Sequence, residues 1–202
     1  MKLKPTSLNR LLSMIRFPFL ILVLFISCGF LSKNPNHKDI NLVESNTWFI
    51  AGPAKETQET INLIRQKEGI IRVTAQNAPV GEIELNVMIT ASNSNDGPAT
   101  NLSDTSKFVS ITYKSSQLIK IQAREGNKEG TGCVHGGSHP RVDLQASPEK
   151  FTTIKIPWSD FKQDGLPDGK LLDIHNLCKL NFVNYNPVSG ALLEIKSVIV
   201  QN

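Results

Sequence analysis

The stretch Arg141–Lys162, RVDLQASPEKFTTIKIPWSDFK, decides the fold class of this chain. At its start, Val142 and Leu144 alternate with polar neighbours, which is the period-2 pattern of a strand that buries one face. Ser147-Pro148 interrupts this pattern and predicts a turn. The first part of the stretch therefore predicts a strand followed by a break.

A second strand follows at Thr152–Ile156, where β-branched residues favour a pleated sheet. Pro157 ends this strand, because proline has no N–H group to donate to a strand ladder. Trp158 and Phe161 lie three residues apart and predict one apolar helical turn. Strand, turn, strand and aromatic turn are together typical of the outer strands of a β-sandwich.

Short apolar runs with turn residues between them recur along the whole chain. The predicted strands outside the opening stretch are Asn41–Ile50, Thr60–Ile64, Gly69–Thr74, Glu82–Ala91, Phe108–Lys114, Gln117–Arg124, Leu180–Tyr185 and Leu192–Val200. A helix over Glu59–Lys67 is the alternative to the strand at Thr60–Ile64, and Asp173 is expected to cap a short helical turn. Nine or ten short strands predict an all-β fold, a two-sheet β-sandwich or jelly roll.

The charge of the chain is unevenly distributed. The formal net charge is +4, but four basic residues lie in the first 27, which contain no Asp or Glu. The remaining Lys and Arg residues equal the acidic residues in number. A nucleic-acid-binding protein needs a basic face that replaces counterions, so the composition argues against nucleic acid as a partner.

The N-terminus has the pattern of a secretory signal peptide, with basic residues followed by the apolar run Phe17–Ile26. Ser27-Cys28 resembles the lipobox of bacterial lipoproteins. The resemblance implies a signal peptide over 1–27, acylation of Cys28 (palmitate among the chains), a tether over 28–38 and a domain over 39–202. Since Gly29 is not Asp, the analogy places the membrane anchor in the outer membrane of the cell envelope. An ordinary signal peptide and an uncleaved anchor are the alternatives.

Two cysteines follow Cys28. In an oxidising compartment Cys133 and Cys178 form an even pair, which favours a disulfide bond. The alternative is two buried thiols, since cysteine packs well in apolar cores.

Several segments carry a resemblance to a known family over roughly Asn41–Val200. They are SKFVSITYKSS, IKIQAR, HPRVDL, FTTIKIPWSDFKQDG, LLDIHNLCKLNF and LLEIKSVIV. These segments resemble the galactose-binding-like jelly rolls of carbohydrate-binding modules, notably family 11, and the domain of complex I intermediate-associated proteins. The resemblance implies a sandwich in which one sheet is concave and its outward side chains meet a polysaccharide.

Alternation within the strands predicts which side chains form that outward face. Inward Ile121 and Ala123 leave Arg124 outward, and inward Leu144 leaves Asp143 outward. The predicted ligand-binding residues are Arg124, His135, His139, Arg141, Asp143 and Tyr185. Their hydrogen-bonding groups suit sugar hydroxyls, and a solvated sheet face is the alternative interpretation.

The cluster Cys133, His135 and His139 has no evident fourth ligand, so we predict no metal and no cofactor. No nucleophile elbow, phosphate loop or located carboxylate pair indicates catalysis. We therefore expect a non-catalytic, envelope-anchored lipoprotein that binds carbohydrate. The alternative is a protein-interaction lipoprotein, an adhesin or an assembly factor for envelope complexes, that uses the same sandwich.

Overall fold

The protein is a β-sandwich of two antiparallel sheets, which confirms the predicted fold class. The computed structural model describes residues 39–44, 47–76, 82–89, 102–125 and 139–200. All of them belong to one compact unit, His37–Asn202. The predicted signal peptide and tether, with Cys28, lie outside the described residues, as do Cys133 and His135.

The strands are numbered here in chain order. They are β1 (Ile40–Asn41), β2 (Trp48–Ile50), β3 (Ile71–Thr74), β4 (Ile83–Met88), β5 (Phe108–Ser115), β6 (Ile119–Glu125), β7 (Pro140–Leu144), β8 (Ser147–Pro157), β9 (Lys162–Gln163), β10 (Leu177–Asn184) and β11 (Leu192–Val200). The described helices are α1 (Gln58–Glu68) and two 3-10 turns, Trp158–Asp160 and Ile174–Asn176.

One sheet has five strands in the order β1-β11-β5-β8, with β3 also paired to β11. The other has six strands in the order β2-β4-β10-β6-β7-β9. Apolar side chains from both inner faces form the core, among them Val109 and Ile111 in β5 and Leu85 and Ile121 in the six-stranded sheet. Burial alternates along β5 as its period-2 sequence predicts.

The strand predicted at Thr60–Ile64 is wrong, and the helix alternative is confirmed. The Thr57 hydroxyl accepts a hydrogen bond from the Thr60 N–H at 3.2 Å, which caps the N-terminus of α1. At the C-terminus Gly69 has a left-handed φ of 72°, and its N–H donates to the Arg65 carbonyl. Caps at both ends stop the helix, and Ile61 is the residue of α1 that is fully buried.

The first strand, predicted over Asn41–Ile50 with an irregular middle, is in fact two strands, because the chain crosses between sheets there. β1 pairs with β11 in the five-stranded sheet, and β2 pairs with β4 in the six-stranded sheet. Leu42 and Val43, between the two strands, are buried in the core.

In the opening stretch, Ser147-Pro148 lies inside β8 instead of breaking the pattern. β8 is an edge strand, where a proline costs no ladder hydrogen bond if its nitrogen faces away from the sheet. Pro157 is the last residue of β8, as predicted. The aromatic turn is also confirmed, with the Trp158 and Phe161 ring centroids 5.7 Å apart.

The predicted cap at Asp173 is present. Its Oδ1 accepts a hydrogen bond from the His175 N–H at 3.0 Å and begins the second 3-10 turn. Across the described ranges, every helix is too short or too polar to cross a membrane.

Candidate functional site

The outward face of the six-stranded sheet carries a row of polar side chains across four adjacent strands. Asn181 in central β10 pairs with Asn86 in β4 and with Gln122 in β6. Gln122 in turn pairs with Arg141 in β7. Paired residues of an antiparallel sheet point to the same side, so these four residues form one line, the polar row.

Two further rows flank the polar row. On one side Lys179 of β10 pairs with Met88 and with Arg124. On the other side Val183 pairs with Glu84 and with Lys120.

Lys120 also pairs with Asp143 in β7. The register therefore brings Arg124, Arg141 and Asp143 onto one face of one sheet, the side that alternation assigns to them. Their role in ligand binding stays a prediction.

Tyr185, just after β10, lies beside Arg124 at the edge of this face. Its pKa is raised, chiefly by partial burial of the hydroxyl and then by Glu84, while the Arg124 cation and its hydrogen bond lower it. Arg124 Nη2 also donates to Gln122 Oε1 at 3.1 Å. Tyr185 is 46% exposed, so its side chain is available at the rim of the face.

His139 precedes β7 and is buried, with its carbonyl oxygen accepting a hydrogen bond from the Asp164 N–H at 3.2 Å. Asp164 and Gly165 both have positive φ, and the Leu166 N–H donates to the Gln163 carbonyl, which is a type I′ turn. Arg141 lies against this turn, since a Cβ at Gly165 would sit 3.6 Å from Arg141 Cγ. The turn thus supports the side chain of Arg141 from the β9 end of the face.

The centre of the face is buried, although its residues point away from the core. Asn86 and Asn181 are 0% exposed and Lys179 is 2% exposed. Alternation places these residues outward but does not mark them as part of a site. For Asn86 and Asn181 the residue type is a signal in the sequence, because Asn is disfavoured in the middle of a strand.

A β-bulge at Cys178 lies next to this buried centre. The register between β10 and β6 shifts between Leu177 and Lys179, which leaves Cys178 as the additional residue. Cys178 and Met88 are fully buried and form a second apolar cluster, against which Phe49 packs. This cluster borders the polar row on the β2 side.

Several buried polar atoms of the face have no hydrogen-bond partner in the described part of the chain. They are Asn86 Oδ1, Asn86 Nδ2, Asn181 Oδ1 and Arg124 Nε. Asn181 Nδ2 does have a partner, Glu84 Oε1, at 3.1 Å. Leaving a buried polar group without a partner costs on the order of 1–3 kcal/mol. The face therefore retains both donor and acceptor capacity at its centre.

Lys179 is a buried cation within this face. Its pKa is lowered from the ordinary 10.5 to about 8, first by burial and second by the Arg124 cation, while Glu84 raises it. The Lys179 ammonium group lies 5.7 Å from the centroid of the Phe49 ring, within cation–π distance. The local environment thus includes a second cation, one carboxylate and an aromatic ring.

A depression of about 310 Å³ lies at the Tyr185 end of the face. Its lining residues come from the β5–β6 connection, β6, β10 and the segment after β10. They are Gln117, Leu118, Lys120, Val183, Asn184, Tyr185 and Asn186. Lys120 of β6 and Val183 of β10, which are paired in register, are part of this lining.

Metal ligands are not clustered in the described ranges, where no group of three or more His, Cys, Asp or Glu residues could hold an ion. The segment with Cys133 and His135 is not part of those ranges.

No protein-family model and no curated protein matches the chain. Among solved structures it is similar to a family 11 carbohydrate-binding module from Clostridium thermocellum in complex with a β-1,3-1,4-mixed-linked tetrasaccharide. That match has 17% identity, a TM-score of 0.46, and covers 85% of this chain and 89% of that chain.

A family 11 module of a cellulosomal cellulase from the same organism matches at 18% identity with a TM-score of 0.45, covering 85% of this chain and 88% of that one. A mutant of a family 29 carbohydrate-binding module matches at 12% identity with a TM-score of 0.44, covering 82% and 92%. The fold class follows from the strand pairing of this chain. The resemblance of the sequence to bacterial lipoproteins and to the domain of complex I intermediate-associated proteins stays a prediction.

Proposed function

We propose that this chain is a non-catalytic protein that binds carbohydrate on the outward face of its six-stranded sheet. The observation that supports the proposal is the polar row, Asn86, Asn181, Gln122 and Arg141. Within it, the amides of Asn86 and Asn181 hold hydrogen-bonding capacity that no described group satisfies. Most buried amides in proteins have hydrogen-bond partners, and a bound ligand would supply the partners that these amides lack.

The chemistry of the row matches that of a sugar ring. An Asn or Gln amide offers both a donor and an acceptor, and a sugar hydroxyl can serve as the counterpart of either. Tyr185, exposed at the rim, offers an aromatic surface to the apolar face of a pyranose. A glycan would lie along the polar row, from the half-buried residues Gln122 and Arg141 across β10 to β4. Shifts of the side chains above Asn181 and Asn86 would give it access to both amides.

The test replaces Asn86 by Leu, a residue of similar size. Asn86→Leu removes both unpartnered atoms, so the stability of the protein should be retained or rise. A glycan array first identifies a glycan that the wild type binds. In calorimetric titration with that glycan, the affinity of Asn86→Leu should be at least tenfold lower than that of the wild type. Unfolding in urea verifies that the variant is folded.

Thr112→Val is the matched control for this experiment. Thr112 lies in β5 of the five-stranded sheet, where its hydroxyl pairs with that of Thr153 at 2.9 Å. This variant also exchanges a polar for an apolar side chain, but on the other sheet, and it should bind like the wild type. Equal affinity of Asn86→Leu and wild type would refute this placement of the site.

The proposal extends to the location of the protein, an outer-membrane anchor on an acylated Cys28. Two or more acyl chains give stable membrane binding. Wild type expressed in a bacterial host should incorporate labelled palmitate and enter the detergent phase, while Cys28→Ala does neither. Wild type that stays unlabelled would contradict the anchor.

Protein interaction, the alternative function, stays a prediction. The long edge strand β8 carries two prolines and lysines, features that disfavour pairing with a strand of another protein.

A further inference from the structure

The outward positions of β4, β6, β7 and β10 carry more cations than anions. The cations are Lys120, Arg124, Arg141 and Lys179, and the carboxylates are Glu84 and Asp143. Beyond these four strands, Lys162 in β9 and Glu82 before β4 offset each other in charge. The face therefore has a net positive charge within a domain whose basic and acidic residues are nearly balanced in number.

Two of these cations are neighbours at its centre. Lys179 and Arg124 are paired in register, and Arg124 lowers the pKa of Lys179, which is the effect of a nearby like charge. Glu84, a carboxylate that raises the pKa of Lys179, accepts a hydrogen bond from the Asn181 amide at 3.1 Å. Arg124 Nε has no partner in the described part of the chain. An anion placed here would be attracted by both cations and would accept a hydrogen bond from Arg124.

We propose that the preferred ligand is an acidic glycan, whose uronic acid carboxylate is bound by Arg124 with Lys179 behind it. This inference rests on the proposed carbohydrate-binding function and names its ligand class. Sugar hydroxyls next to the carboxylate would bind the amides of Asn181 and Gln122. The positive charge at the centre of the face thus selects glycans that carry carboxylates.

The test measures calorimetric affinity for a panel of acidic polymers: polygalacturonate, alginate and hyaluronate. Each is compared with its carboxyl-reduced form, which keeps the sugar backbone but is neutral. We expect one acidic polymer to bind at least tenfold more tightly than its reduced form, with affinity falling as NaCl is added. Poly-L-glutamate, an anion without sugar rings, should bind at least tenfold more weakly than that polymer.

Each contrary outcome has a separate meaning. Equal binding of an acidic polymer and its reduced form overturns the acidic ligand and leaves carbohydrate binding in place. If poly-L-glutamate binds as tightly as the acidic polymer, the acidic-glycan proposal is overturned as well, since a site for any anion would explain the binding. Binding of neutral glycans alone, or of none of the acidic polymers, also overturns the acidic-glycan proposal. The glycan array then tests separately whether the protein binds carbohydrate.

Two variants locate the charge requirement. Lys179→Met and Arg124→Gln should each lose at least tenfold in affinity for the acidic polymer and little for its reduced form. Lys155→Met is the control, because Lys155 is exposed on β8 of the other sheet. Retained affinity in both site variants would overturn the assignment to this face.

Discussion

The side chain of Lys179 combines a stability cost with a role that we assign to ligand binding. It is 2% exposed and faces Arg124 in β6, Glu84 and Met88 in β4, and the Phe49 ring in β2. Lowering its pKa from 10.5 to about 8 means that the fold disfavours the charged form. By linkage this corresponds to a cost on the order of 3 kcal/mol at neutral pH.

Replacing Lys179 by Met, which keeps the length but removes the charge, should therefore stabilise the protein by roughly 1–3 kcal/mol at pH 7. The folded pKa lies below the unfolded value, so the unfolded state binds more protons between the two. The stability advantage of Lys179→Met is complete below pH 8 and shrinks as the pH rises from about 8 toward 10.5. Urea unfolding at a series of pH values measures it.

Lys120→Met is the comparison for this series, since Lys120 lies on the same face but is exposed. Lys120→Met should gain little free energy of unfolding at any pH. If Lys179→Met is less stable than wild type at pH 7, the ammonium group contributes more through its contacts than burial costs it.

The helix α1 shows how local caps determine an element in a chain of strands. Thr57 begins it and Gly69 ends it, and Arg65 Nε donates to the Val43 carbonyl at 3.1 Å, which ties the helix to the β1–β2 connection. Glu56, just before the helix, accepts hydrogen bonds from the N–H and hydroxyl of Thr74 in β3. These contacts position the helix next to the strand that follows it.

Substituting Gly69 by Ala should destabilise the protein by about 1 kcal/mol, because alanine is strained at a positive φ. A Cβ at Gly69 meets no atom within 4 Å, so the cost is conformational and not steric. Gly69→Asn should lose less, since Asn tolerates the left-handed region better. Urea unfolding measures both, with Gln66→Ala on the exposed part of α1 as the neutral control. A Gly69→Ala variant as stable as wild type would show that the cap is dispensable.

At the level of the entire sandwich, β10 is the strand around which the six-stranded sheet is organised. Seven of its eight residues are buried, Leu177 to Val183, because β4 and β6 flank it and both of its faces are covered. The predicted disulfide partner of Cys133, Cys178, lies at its beginning and is buried. A bond there would link the segment around Cys133 to the most buried strand.

We expect Cys133 and Cys178 to be disulfide-bonded in protein purified from an oxidising compartment. Under denaturing conditions neither cysteine should react with iodoacetamide until a reductant is added, as peptide mass spectrometry would show. Reduction should lower the free energy of unfolding by roughly 2–4 kcal/mol, and a Cys133→Ser, Cys178→Ala double variant should not respond to reductant. Alkylation of both thiols without reductant would rule out the bond.

Periodicity along the chain was sufficient to predict the β-sandwich and the side of the sheet to which Arg124 and Arg141 belong. These are local properties, since alternation within a strand decides them before any other strand is considered. The helix α1 was harder to predict, because Ile61 and Ile64 fit both a strand and a helix, and only the caps at Thr57 and Gly69 separate the two.

The buried centre of the candidate site was decided by the tertiary structure. Asn86, Asn181 and Lys179 are polar residues in strands, and nothing in their neighbouring sequence distinguishes a solvated position from a buried one. Their environment comes from contacts between distant residues, such as the hydrogen bond from Asn181 to Glu84, 97 residues apart in the chain. The register of β10 with β4 and β6 brings these groups together, and register between distant strands is a property of the folded molecule.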